Sequence, residues 1–98
     1  MNIEKKLEGD TLTLKVAGRL DTNTTPQLES ELSLDGVKSV VFDLANLEYV
    51  SSAGLRIFLA TQKSTMAAGG GIVIKHPNET VKGVLDITGC SDIFTIEM

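Results

Sequence analysis

The chain has 98 residues, 42% hydrophobic and 22% charged, the balance of a globular domain with room for one modest core and none for a second unit. A net charge of −4 argues against a nucleic-acid binder, because phosphate contacts need clustered Lys and Arg. No apolar run approaches a membrane span, no charged-then-apolar leader opens the chain, and Cys90 has no second cysteine to pair with, so a cytoplasmic protein without direct membrane insertion is expected.

Met1 to Glu8 places Glu4, Lys5 and Lys6 between Ile3 and Leu7, the pattern of an edge strand guarded by charge. Gly9-Asp10 makes a turn. Thr11 to Ala17 then alternates, with Leu12, Leu14 and Val16 inward, which predicts a hairpin with the first strand. Gly18-Arg19-Leu20-Asp21 leaves the strand, and Thr24-Thr25 caps a helix whose first turn holds Pro26, where a missing N–H costs nothing. Leu28 and Leu32 lean that helix on the sheet, and it ends near Leu34, before Asp35-Gly36.

Ser39 to Leu44 contains the continuous apolar run Val40-Val41-Phe42, expected of a strand buried on both faces. Ala45 to Val50 reads as a connector anchored by Leu47, Tyr49 and Val50. A helix follows Ser52, with Leu55, Phe58, Leu59 and Met66 on one face and Arg56, Gln62 and Lys63 toward water. Gly69-Gly70-Gly71 provides a flexible exit, and Ile72 to Ile74 forms another strand, completing a βαβ unit with parallel strands. Asn78 caps a third helix carrying Val81, Val84, Leu85 and Thr88 on one face, Gly89 stops it, and Ile93 to Ile96 forms a short last strand.

Several chemistries fail on residue supply. His76 and Cys90 are the only histidine and cysteine and lack zinc-site spacing, and a lone histidine in a strand-end loop is a poor base for Ser52. The triple glycine follows a helix rather than opening one, so it is no phosphate loop. Asp21, Asp43 and Glu48 are placed at one end of the sheet near Ser52, where they would assist a kinase or its magnesium. Glu48 reads equally as solvated surface, and Asp43 as a residue that bonds its own turn.

Ser51-Ser52 opens the long helix. Either hydroxyl serves as N-cap, accepting an N–H that the helix cannot satisfy internally, and on generic grounds capping alone accounts for both. The same position also suits a phosphorylated hydroxyl, which would add about −1.5 to −2 charges at one surface point without unfolding the domain.

Two stretches, GRLDTNTTPQLE and DLANLEYVSSAGLR after the VVF strand, resemble the STAS domains of anti-sigma factor antagonists. The resemblance spans residues 1–98 as a single STAS domain and implies an α/β fold with a single mixed β-sheet and helices packed mainly on one face. It implies phosphorylation at Ser52, followed by Ala53, Gly54 and Leu55, ahead of Ser51, which stands where many members have Asp. It further implies a partner surface of Asp21, Thr22, Asn23, Ser51, Ser52, Ala53, Gly54, Leu55 and Arg56, with Asp21 close to the serine. The implied partners are an anti-sigma factor with serine kinase activity and a serine phosphatase. No cofactor, metal or catalytic residue is implied, and the protein is not an enzyme on this reading. The alternative is a STAS docking subunit of a transporter ATPase or signalling assembly, with Ser52 only a cap and contact.

Overall fold

The computed structural model describes residues 1–98. Six strands form one mixed sheet, accompanied by three helices. In chain order these are β1 (Asn2–Glu8), β2 (Thr11–Leu20), α1 (Thr25–Glu31), β3 (Ser39–Asp43), β4 (Leu47–Val50), α2 (Ser52–Ala67), β5 (Gly71–Lys75), α3 (Glu79–Ile87) and β6 (Thr95–Glu97), with a 3-10 turn at Cys90–Asp92. The sheet order is β1-β2-β3-β5-β6, and β4 lies beside the far end of β2. Only the β1/β2 hairpin is antiparallel.

Register explains which face is dry. Leu12, Val40 and Ile72 are level across β2, β3 and β5, as are Leu14, Phe42 and Ile74, and all six are buried. The helices cover this face. Phe58 of α2 packs on Phe42 with ring centroids 4.7 Å apart, and Phe94 meets Phe58 edge-on at 6.3 Å. On the other face Glu4, Lys15, Asp43, Lys75 and Glu97 stand level across five strands with alternating sign. Each charge there has an opposite neighbour, which suits a face left to water.

Two findings extend the sequence reading. β2 does not stop at Ala17: beyond Gly18, at φ 101°, Arg19 and Leu20 pair in parallel with Tyr49 and Val50, and because Gly18 is level with Leu47, the extra residue of the bulge is Glu48 of β4. The expected connector through Leu47 to Val50 is therefore partly strand β4. Asn78 caps α3 as expected, accepting from the Val81 amide at 2.8 Å, and its side-chain amide also donates to the Leu47 carbonyl at 2.9 Å, tying α3 to β4.

Five details differ from the sequence expectation. The buried face of α2 is Gly54, Leu55, Ile57, Phe58, Thr61 and Thr65, while Leu59 and Met66 are exposed. Both threonines donate at 2.8 Å to the carbonyl one turn back, which satisfies their hydroxyls and lets them fill core positions. Gln62 does not face water: its carbonyl accepts from Ile72 N at 2.9 Å and its amide donates to Ile93 O at 3.1 Å. Nor is the triple glycine a loose exit, since a β-carbon on Gly70 would lie 1.8 Å from the Lys38 carbonyl oxygen. Finally, α1 ends at Glu31, short of Leu34, and the last strand is Thr95–Glu97, with Phe94 turned into the core. No helix is long and apolar enough to cross a membrane.

Candidate functional site

From Gly18 on, the tail of β2 pairs with β4, and both strands end together, at Leu20 and Val50. The two segments that carry the sequence motifs leave the sheet from these adjacent ends. The Ser51 amide donates to the Leu20 carbonyl at 2.9 Å, fixing the start of α2 against the start of the Asp21 loop. Gly54 makes this close approach possible: a β-carbon there would lie 2.7 Å from Val50 Cγ2 and 2.8 Å from Leu20 Cδ2.

The two serines are distinguished by what they touch. Ser51 is the N-cap, extended at φ −94° and ψ 175°, half-buried, and its Oγ accepts from the Gly54 amide at 3.4 Å. Ser52 is the first helical residue and is exposed. Its hydroxyl projects into solvent while that of Ser51 is engaged by the helix.

The neighbouring loop is held by its own acid. Asp21 Oδ1 accepts from Asn23 N at 2.9 Å and Thr24 N at 3.2 Å, and the Asp21 amide donates to Thr24 Oγ1 at 2.9 Å. Thr24 Oγ1 in turn donates to the Arg19 carbonyl at 2.8 Å. Thr24 therefore occupies the N-cap of α1 without capping it through its side chain, contrary to the sequence expectation. Thr22 and Asn23 are left exposed at the loop tip.

Between α1 and α2 runs a groove of about 590 Å³ whose lining includes Thr22, Thr25, Glu29, Ala53, Arg56 and Ile57. Three residues singled out from sequence, Thr22, Ala53 and Arg56, meet there. Gly54 and Leu55 lie buried beneath them, holding the surface rather than forming it. Thr25, Glu29 and Ile57 escaped the sequence reading because only the crossing of the two helices brings them together.

The expected line of acids does not gather. Asp43 sits level with Lys15, five residues short of Leu20 along β2, and accepts from its own turn at Ala45 N, 3.1 Å. Glu48 is exposed on β4. No three His, Cys, Asp or Glu side chains converge where they would hold a metal ion.

Residues 2–98 match the STAS domain family. The chain belongs to that family. This STAS domain is 33% identical over 99 aligned positions to an anti-sigma-B factor antagonist of Staphylococcus epidermidis, covering 98% of the chain and 92% of the relative. It is 29% identical to the anti-sigma-B factor antagonist of Staphylococcus aureus over the same shares of both chains. Its fold matches the anti-sigma factor antagonist SpoIIAA in its unphosphorylated form with a TM-score of 0.86 at 18% identity, over 99% of this chain and 89% of the other. The phosphorylated form of the Bacillus cell fate determinant SpoIIAA matches with a TM-score of 0.77 at 17% identity, over 99% and 92%. An anti-sigma factor antagonist from Mycobacterium paratuberculosis matches with a TM-score of 0.82 at 22% identity, over 98% and 84%. At these identities the structures establish the STAS architecture, one mixed sheet with its helices on one face.

Proposed function

We propose that this STAS domain is a cytoplasmic anti-sigma factor antagonist, a regulatory binding protein rather than an enzyme, whose Ser52 is its switch. In the unmodified state it binds an anti-sigma factor that is also a serine kinase, and so releases a sigma factor. The kinase transfers the terminal phosphoryl of ATP to Ser52 Oγ, giving ADP and a proton, and binding ends. A serine phosphatase hydrolyses the ester and resets the switch.

The observation that carries this reading is the contrast at the head of α2. Ser51 is half-buried with its hydroxyl engaged as the cap, whereas Ser52 is exposed on the lip of the surface formed with the Asp21 loop. Phosphorylation there leaves the cap and the fold in place while changing the charge of an interface by nearly two units. Relatives named as anti-sigma-B factor antagonists, similar along nearly the whole chain, support the partner class.

To pass from nearly all bound to nearly all free, the two forms must differ in affinity by about 10⁴-fold, roughly 5.5 kcal/mol. A dianion desolvated in that interface accounts for much of the difference.

The test is titration of an anti-sigma factor kinase from the same host with unmodified protein and with protein phosphorylated at Ser52. Tight binding of the first and loss of binding by the second are expected. Equal affinities would remove the switch and favour a constitutive docking subunit.

A further inference from the structure

The groove beside Ser52 contains one cation, and it stands one helical turn along α2 from that hydroxyl. Arg56 lines the groove together with Glu29, yet it forms neither an ion pair nor a hydrogen bond with Glu29 or with any other group of the protein. The other arginine, Arg19, is stacked over the Tyr49 ring at 4.7 Å. Arg56 is thus an exposed guanidinium without a partner in a chain whose net charge is −4.

We propose that Arg56 is the counterion of a phosphoryl group on Ser52, holding it at the mouth of the α1–α2 groove. This rests on the reading of Ser52 as the modified hydroxyl. Residues four apart on a helix place their β-carbons roughly 5–6 Å from each other, within reach of a guanidinium fork on phosphate oxygens. The acidic member also stands N-terminal to the basic one, the order that helix polarity favours. Without this cation, the new dianion would face only Asp21 and Glu29 among the charges of the loop and groove.

The pairing has a consequence for binding. In the unmodified protein the guanidinium is available to an acidic group of the partner. After modification it is occupied within its own helix, so one event both introduces a repulsive charge and withdraws an attractive one. Arg56 is a positioning residue in this scheme and touches no reacting atom of the transfer.

The experiment installs phosphoserine at position 52 during translation, so that no kinase is needed, and follows the phosphorus-31 shift against pH. A serine phosphate ordinarily loses its second proton near pH 6, and a neighbouring cation lowers that value. Arg56→Gln is expected to raise it by about half a unit, Arg56→Lys to restore part of the difference, and Lys63→Gln, farther along α2, to leave it unchanged. No change in Arg56→Gln, or an equal change in Lys63→Gln, would overturn the pairing. Because the phosphate is installed directly, that failure is separable from absence of the modification in cells, which would instead sink the proposed switch.

Discussion

The Ser51 amide donates to the Leu20 carbonyl at 2.9 Å, so the helix that presents Ser52 starts from the strand that leads into Asp21. Two stretches separated by some thirty residues of chain thereby share one surface. Their proximity depends on backbone contacts, and side chains at Ser52, Thr22 and Arg56 are left free to meet a partner.

Gly54 is the position where this join is tightest. Gly54→Ala places a β-carbon within 2.8 Å of buried Leu20 and Val50 side chains, which must repack. The expected cost is about 1–3 kcal/mol, read from urea unfolding, together with weaker partner binding as the head of α2 lifts from β2 and β4. An unchanged midpoint and unchanged affinity would mean that the join has slack.

Two further glycines should respond with opposite signs. Gly70→Ala drives a β-carbon into the Lys38 carbonyl, 1.8 Å away, which only backbone displacement relieves, so marked destabilisation is expected. Gly83→Ala lies inside α3 with nothing within 4 Å of the new carbon. It should stabilise by about 0.5–1 kcal/mol through helix propensity. Thermal melts of the two variants side by side would reveal this, and shifts of the same sign would contradict it.

Acid stability has one local marker. A hydrogen bond from Lys82, then one from Ser91, holds the Asp86 carboxyl below its ordinary 3.8. A carboxylate whose folded value is depressed adds stability that is present above its unfolded value and lost as pH falls through the folded one. The contribution should therefore fade below pH 3.8, not near neutrality. Carbon-13 titration of Lys82→Met is expected to show Asp86 moving up toward 3.8. An unmoved carboxyl would assign the depression to Ser91 alone.

Much of the fold was legible because its signals are local. Val40-Val41-Phe42 and Ile72-Val73-Ile74 are apolar runs between polar ends, and Asn78 with Val81, Val84 and Leu85 states a capped amphipathic helix. Strand β4 was hidden because its own bulge at Glu48 breaks the alternation, so that Leu47 and Val50, three apart, both turn inward. The buried face of α2 was misjudged because Thr61 and Thr65 conceal their polarity by bonding back along the helix, a compensation no hydropathy pattern displays. Gly70 looked flexible for the same kind of reason, since its constraint comes from Lys38, distant in sequence.

At the site, Ser51-Ser52 stood out as a helix start from sequence, but which hydroxyl was engaged depended on backbone geometry at Ser51. Thr22, Ala53 and Arg56 were gathered by resemblance, and the crossing of α1 over α2 adds Thr25, Glu29 and Ile57 to the same groove. Asp21 was placed beside the serine segment, yet its carboxylate is committed to its own loop through Asn23 and Thr24. A groove made of two helices has no signature in either helix alone.

The most direct measurement is peptide mass spectrometry of the protein isolated from its own host, resolving Ser51 from Ser52, with Ser52→Ala as control. Phosphate on Ser52, absent from the alanine variant and never on Ser51, is the expected result. Phosphate on Ser51, or none on either serine across growth and stress conditions, would contradict the assignment of the exposed hydroxyl as the switch.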